Sequence, residues 1–285
     1  MKFNIKKFLI ILACITIVSF IISGIILYAT GGISAVSIKT TQIMKSEVFD
    51  VSKVNKVIIN TVETDISVIP VVDKKIGADF YGNAKTNLAG ALPELKTELD
   101  KGVLTIEISY PVTITIGLIN LSELHLDIYI PDNFSKEIEV NTVSGNLDIR
   151  RFNLESFTFK STSGDIGASK LASETIKIET TSGKVSLNDA EGSIKINTIS
   201  GDVDLSLKSF RYNLDIKTTS GEVGVRITEE SKFEFSLGSV SGNIKNEFKA
   251  KITFVDEKNL EGSVGEGIYK ISIKSISGDI NLLTK

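Results

Sequence analysis

From residue 138 to the C-terminus, apolar residues occupy every second position in short runs. Each run breaks at a serine-glycine pair and then resumes. Ile138 and Val140 lead into "NTVSG" and Leu147 and Ile149 lead out of it. The same frame returns around Ser144-Gly145, Ser163-Gly164, Ser182-Gly183, Ser200-Gly201, Ser220-Gly221, Ser241-Gly242 and Ser277-Gly278. Alternation at period two is the signature of a half-buried strand. Each copy is therefore predicted to be two short strands joined by a tight corner. Successive corner glycines stand 19, 19, 18, 20, 21 and 36 residues apart. A fixed period near twenty residues marks a solenoid, because one such unit cannot bury its apolar face but stacked units can.

Aligned on the glycine, two columns of aliphatic or aromatic residues precede the corner. Ile138, Phe157, Ile176, Ile194, Leu214, Phe235 and Ile271 form one, and Val140, Phe159, Ile178, Ile196, Ile216, Leu237 and Ile273 the other. A third column follows it: Leu147, Ile166, Val185, Val203, Val223, Ile244 and Ile280. Three residues before each glycine stands a hydroxyl, at Thr142, Ser161, Thr180, Thr198, Thr218, Ser239 and Ser275. Period-two counting places these hydroxyls and the corner serines on the aliphatic side, as a stacked ladder bonded to backbone groups that otherwise lack partners. The glycines are expected where φ is positive. Parallel crossovers favour one hand. The fold expected is thus all-β, a right-handed single-stranded β-helix of about 18–21 residues per rung.

Upstream the pattern weakens. Residues 57–68, "VIINTVETDISV", read as a degenerate copy with Thr64 at the glycine position. Residues 87–101 carry the one stretch of this region that reads as a short helix, with Pro93 against it. Residues 260–270, "LEGSVGEGIYK", interrupt the period and read as a loop turning on Gly262, Gly265 and Gly267. The last copy runs to Lys285 with no evident cap, which leaves a terminal rung open to self-association.

The N-terminus has a different character. Residues 8–29 contain no charge, and at 1.5 Å per residue they cover about 33 Å, the thickness of a bilayer core. Lys2, Lys6 and Lys7 precede them, so the N-terminus is expected in the cytoplasm and the rest outside. The apolar run is longer than a cleaved signal's core, and "ISAVS" at 33–37 is a poor cleavage site. It also continues well past Cys14, which argues against lipidation there. The expected organisation is a cytoplasmic N-terminus (1–7), a transmembrane signal anchor (8–29), a juxtamembrane linker (30–48) and an extracytoplasmic solenoid (49–285).

Charge and composition narrow the chemistry. The net charge is −3, and only Arg150, Arg151, Arg211 and Arg226 are arginine, so no basic field suits a nucleic acid. Cys14 is the sole cysteine, which removes disulfides from the outer domain. The residue after each corner glycine is Asn146, Asp165, Lys184, Asp202, Glu222, Asn243 or Asp279. A calcium or catalytic site does not accept Lys184 in register with carboxylates, whereas a solvent-facing corner accepts them all. His125, the only imidazole, alternates with apolar residues in "LHLDIYIP" and reads as a strand-surface residue. Asp202 and Asp204 share a strand face, but the neighbouring rung replaces them with Lys184 and Ser186. No catalytic residue, metal ligand or cofactor site is expected. A polysaccharide-cleaving enzyme on a β-helix would rest on fold alone.

"LHLDIYIPDNFSKEIEVNTVSGNLDI", the run of Ser-Gly corners and the closing "EGSVGEGIYKISIKSISGDINL" are similar to the putative-adhesin family of bacterial β-strand-repeat envelope proteins of unknown function. The resemblance spans roughly residues 50–285. It implies a right-handed β-helix in the cell envelope, and the Lys- and Ile-rich composition suits a Gram-positive member. The function expected is a non-enzymatic, membrane-anchored binding module that contacts wall polymer or another envelope protein. The alternative that the resemblance implies is an accessory of envelope-stress signalling acting through membrane partners.

Overall fold

The computed structural model describes residues 16, 19–25, 28, 39–86, 92–110, 119–120 and 124–285. Most of the expected anchor, residues 8–29, and its flanking lysines lie outside the described residues. Among the described residues no helix is long and apolar enough to cross a membrane.

The first part of the chain carries β1 (Lys39–Asp50), β2 (Lys56–Asn60), β3 (Asp65–Val71), β4 (Lys75–Thr86), β5 (Glu94–Asp100), β6 (Val103–Ser109), β7 (Ile119–Asn120), β8 (Leu124–Pro131) and β9 (Glu137–Asn141). The repeats follow as β10 (Leu147–Ser161), β11 (Ile166–Ser182), β12 (Val185–Ser200), β13 (Val203–Leu207), β14 (Leu214–Ser220), β15 (Val223–Ile227), β16 (Phe233–Ser239) and β17 (Ile244–Asn246). The chain closes with β18 (Lys251–Val255), β19 (Asn259–Val264), β20 (Lys270–Ser277) and β21 (Ile280–Thr284).

The repeat strands pair in parallel, one rung apart, with like residues opposite each other. Before the corner, Val57 lies opposite Ile138, then come Phe157, Ile176, Ile194 and Leu214. After the corner, Ile66 lies opposite Leu147, followed by Ile166, Val185, Val203 and Val223. These side chains are buried and fill a single core. Each full burial of an aliphatic of this size stabilises by roughly 2 kcal/mol, so the register is held by many equal contributions. A slip of one residue would turn every one of them outward. Residues 57–68 take the place of a repeat, as their pattern indicates.

Rung order departs from sequence order at the C-terminal end. β20 pairs in parallel with both β14 and β16, and β21 with both β15 and β17. The last copy is therefore inserted between the Gly221 and Gly242 rungs. It is not the terminal rung that its position in the sequence indicates. The end of the stack is formed by the Gly242 copy, with β19 antiparallel on β16 and β18 antiparallel on β19. Phe210, Phe233, Phe235 and Phe248 pack against one another at this end, with Phe233 5.1 Å from Phe248 and 5.3 Å from Phe210 between ring centroids.

Three local expectations are corrected. Residues 39–48, expected in a linker, belong to β1, which pairs antiparallel with β4 along all twelve residues. The stretch expected as a helix contains β5, which pairs antiparallel with β6; its charges alternate with Leu95, Thr97 and Leu99, which fits an edge strand. Residues 260–264 of the loop expected at 260–270 belong to β19, because Leu260 and Gly262 find strand partners in both β16 and β18.

Candidate functional site

The Ser-Gly corners are explained by the stacking itself. A Cβ on Gly164 would overlap the carbonyl oxygen of Gly145, and the same clash recurs from Gly183 to Gly164, Gly201 to Gly183 and Gly221 to Gly201. It continues from Gly278 to Gly221 and from Gly242 to Gly278, in the spatial order of the rungs. Positive φ is confined to Gly201 and Gly221 among the seven. The expectation that φ explains the column is thus corrected. Backbones packed one rung apart leave no room for a side chain. The column starts at Thr64, whose carbonyl receives Gly145 and whose hydroxyl lies 2.5 Å from the Tyr110 hydroxyl.

The two hydroxyl columns separate. Thr142, Thr180, Thr198, Thr218, Ser239 and Ser275 are buried and Ser161 is half-buried. The Gly145, Gly164 and Gly242 N–H groups donate to the hydroxyls three residues earlier, at 3.0, 2.7 and 2.9 Å. In the Gly183 and Gly201 rungs the glycine N–H donates instead to the Ser200 or Ser220 carbonyl of the next rung, and Thr180 and Thr198 are left without partners. The corner serines point outward, contrary to the expected inward ladder: Ser144, Ser163, Ser182, Ser200, Ser241 and Ser277 are exposed and Ser220 is half-buried. The chain turns at the two residues before glycine, so period-two counting ends there.

The acidic column also has a structural task. The Asp65, Asn146 and Asp165 side chains accept from the backbone N–H of the same position one rung on, at 2.9, 3.0 and 2.7 Å. Asp202 does so for Glu222, and Asp279 for Asn243. Lys184 interrupts this chain because an ammonium carries no acceptor. Asp204 pairs with Arg226. His125 stacks on Tyr81 at 5.5 Å. Among the described residues no group of three His, Cys, Asp or Glu side chains could hold a metal ion.

A broad concavity lies at a second corner that carries no sequence motif. Arg151, Lys170 and Asp189 occupy one register column and adopt φ of 60°, 54° and 54°. Each left-handed non-glycine residue costs about 1 kcal/mol, and the stacked core maintains all three. Beside them runs an open groove of about 760 Å³ that crosses four successive copies. Arg151, Lys170 and Lys208 supply cations, Asp132, Glu155, Glu174 and Glu191 carboxylates, and Tyr212 an exposed ring. At the ladder spacing of about 4.8 Å this is a track roughly 14 Å long. Lys208 lies 3.9 Å from Glu191, while Arg151 and Lys170 have no carboxylate within ion-pair distance among the described residues. Period counting missed this site because its residues are far from the glycine frame and hydrophilic in the ordinary way.

The fold is that of an all-β stack of short parallel rungs around one aliphatic core. The chain belongs to the Toastrack DUF4097 family, whose model matches residues 134–283. No curated protein matches the sequence. A solved putative cell adhesion protein from Clostridium sporogenes is 14% identical, with 87% of this chain and all of that one covered at a TM-score of 0.43. A putative adhesin from Bacteroides fragilis is 12% identical, with 84% and 97% covered and a TM-score of 0.42. A putative adhesin from Parabacteroides distasonis is 11% identical, with 85% and 94% covered and a TM-score of 0.38.

Proposed function

We propose that this chain is an adhesin-like, non-enzymatic binding module of the bacterial cell envelope, held to the membrane by residues 8–29 and wound as a right-handed solenoid. The groove beside Arg151 and Lys170 carries the reading. It is open, crosses four copies and offers mixed charge with one exposed aromatic ring, Tyr212. An extended polymer fits such a track better than a compact metabolite, which favours an enclosed pocket, and Arg151 and Lys170, the two lining cations without an ion-pair partner among the described residues, are the points at which its anionic groups would sit. Most of its wall is strand, from β10, β11 and β12, so little is lost in ordering it on binding.

The test is cosedimentation of the full chain, in detergent, with purified Gram-positive walls, before and after removal of their anionic polymers. Saturable binding that falls on polymer removal, and at least tenfold in Arg151→Glu/Lys170→Glu, is the expected result. Binding indifferent to both changes rejects the groove as the contact. No binding rejects wall contact and favours the envelope-signalling reading, to be pursued by crosslinking in the membrane.

A further inference from the structure

Every solenoid has two ends, and the edges here are treated differently. At the N-terminal end, β5 alternates Glu94, Lys96, Glu98 and Asp100, and β1 carries Lys39, Lys45, Glu47 and Asp50. Charges of this kind discourage a second strand from pairing. At the other end, β17 is three residues long with Lys245 at its centre. The β18 edge has a single charge, Lys251 at its start, and less protection beyond it. Ile252, Thr253, Phe254 and Val255 form an uncharged run, every residue of β18 is exposed, and Ile252, Phe254 and Val255 are 43%, 49% and 65% accessible. Among the described residues β18 pairs only with β19. A bulge against β19 between Ile252 and Phe254 leaves the apolar run uncovered.

The flanks indicate the occupant. The segment reads Lys249-Ala250-Lys251-Ile252-Thr253-Phe254-Val255-Asp256-Glu257, basic before the apolar run and acidic after it. Laid antiparallel on itself about Thr253, β18 sets Ile252 opposite Phe254, and at either end it brings Lys249, just before the strand, toward Glu257 in the turn to β19. Among the described residues neither Lys249 nor Glu257 has an ion-pair partner within its own chain. A parallel pairing would instead oppose like charges. We infer that β18 is the interface of a symmetric homodimer, in which two copies join antiparallel strand to strand. Strand hydrogen bonds in a solenoid run along its axis, so this pairing extends the stack end to end. It places the two β1 strands at the far ends of a doubled rod. The inference is independent of any ligand in the groove.

The test is sedimentation of the full chain in density-matched detergent, with circular dichroism to check that each variant is folded. The chain is expected to dimerise at micromolar concentration. Lys249→Glu and Glu257→Lys each replace two attractive pairs by two repulsive ones and should weaken dimerisation about tenfold or more. Mixed together, the two variants should pair with each other, because each supplies the charge that the other lacks. The double reversal in one chain should restore the homodimer. A monomeric wild-type chain, or a mixture of folded single variants that stays monomeric, would overturn the inference.

Discussion

At each repeated corner, two properties of single residues decide the structure: whether a Cβ is present, and whether the side chain can accept a hydrogen bond. Gly164 has no room for a Cβ against the Gly145 carbonyl, while Asp165 contributes one exposed side-chain bond to Lys184 N–H. Gly164→Ala is therefore expected to cost about 3 kcal/mol or more, as overpacking against rigid backbone does. Asp165→Ala should cost about 1 kcal/mol. Urea unfolding of the two variants checks the ordering, and equal losses would contradict the stacking account. Charge acts locally as well. Glu139 lies between Lys56 at 2.8 Å and Lys160 at 3.0 Å. The hydrogen bond from Lys56 is the main cause that lowers its pKa from 4.5 to about 2. A folded pKa below the unfolded one means stability that is present above about pH 4.5 and lost as pH falls toward 2. Allowing for solvent screening, the contribution is of order 1 kcal/mol. Glu139→Gln should thus lower the melting temperature at pH 7, and the difference from wild type should close by pH 2.

At the scale of elements, the most consequential feature is the return of β20 and β21 into the stack. Sixteen residues at the C-terminus separate β14 from β16 and β15 from β17. They bury Ile271, Ile273, Ile280 and Leu282. Removing residues 270–285 would leave the Gly242 rung and its hairpin without their parallel neighbour. Such a truncated chain is expected to lose cooperative unfolding of its C-terminal rungs. A synthetic peptide of residues 270–285 should restore it, since its register is set by side chains on both sides. Hydrogen exchange in β16 with and without the peptide reads this directly, and protection in β16 unaltered by truncation would refute it. The reading of residues 94–100 as helix, where β5 lies, has a related cause. Leu95 and Leu99 satisfy a four-residue spacing as well as a two-residue one, and only the partner strand β6 distinguishes them.

At the scale of the whole molecule, the two ends have opposite roles. The charged edges of β1 and β5 lie at the end nearest the N-terminus, and the largely apolar edge of β18 lies at the far one. If residues 8–29 anchor the chain and β18 pairs, two copies on facing membranes meet tip to tip. Vesicles displaying residues 39–285 on their outer surface should then cluster. Vesicles bearing Lys249→Glu should cluster with those bearing Glu257→Lys and neither kind with itself. Light scattering reports the outcome. Dimers in detergent without clustering would separate the anchor reading from the pairing.

The sequence by itself determined the rung. Period-two aliphatics, the Ser-Gly frame and spacings near twenty residues define the strands, their register and even the degenerate copy at 57–68, because each is a local pattern repeated many times. Tertiary structure alone decided what depends on contact between segments distant in the chain. All seven corner glycines answer to a neighbouring carbonyl, only Gly201 and Gly221 also to a positive φ, and the outward turn of the serines belongs to the corner. The groove gathers ordinary hydrophilic residues from four copies at a corner without a motif. The order of the last rungs was likewise illegible, since a strand that matches every other strand in the stack carries no label for the two between which it sits. Identical local chemistry specifies the unit, and only packing specifies the place.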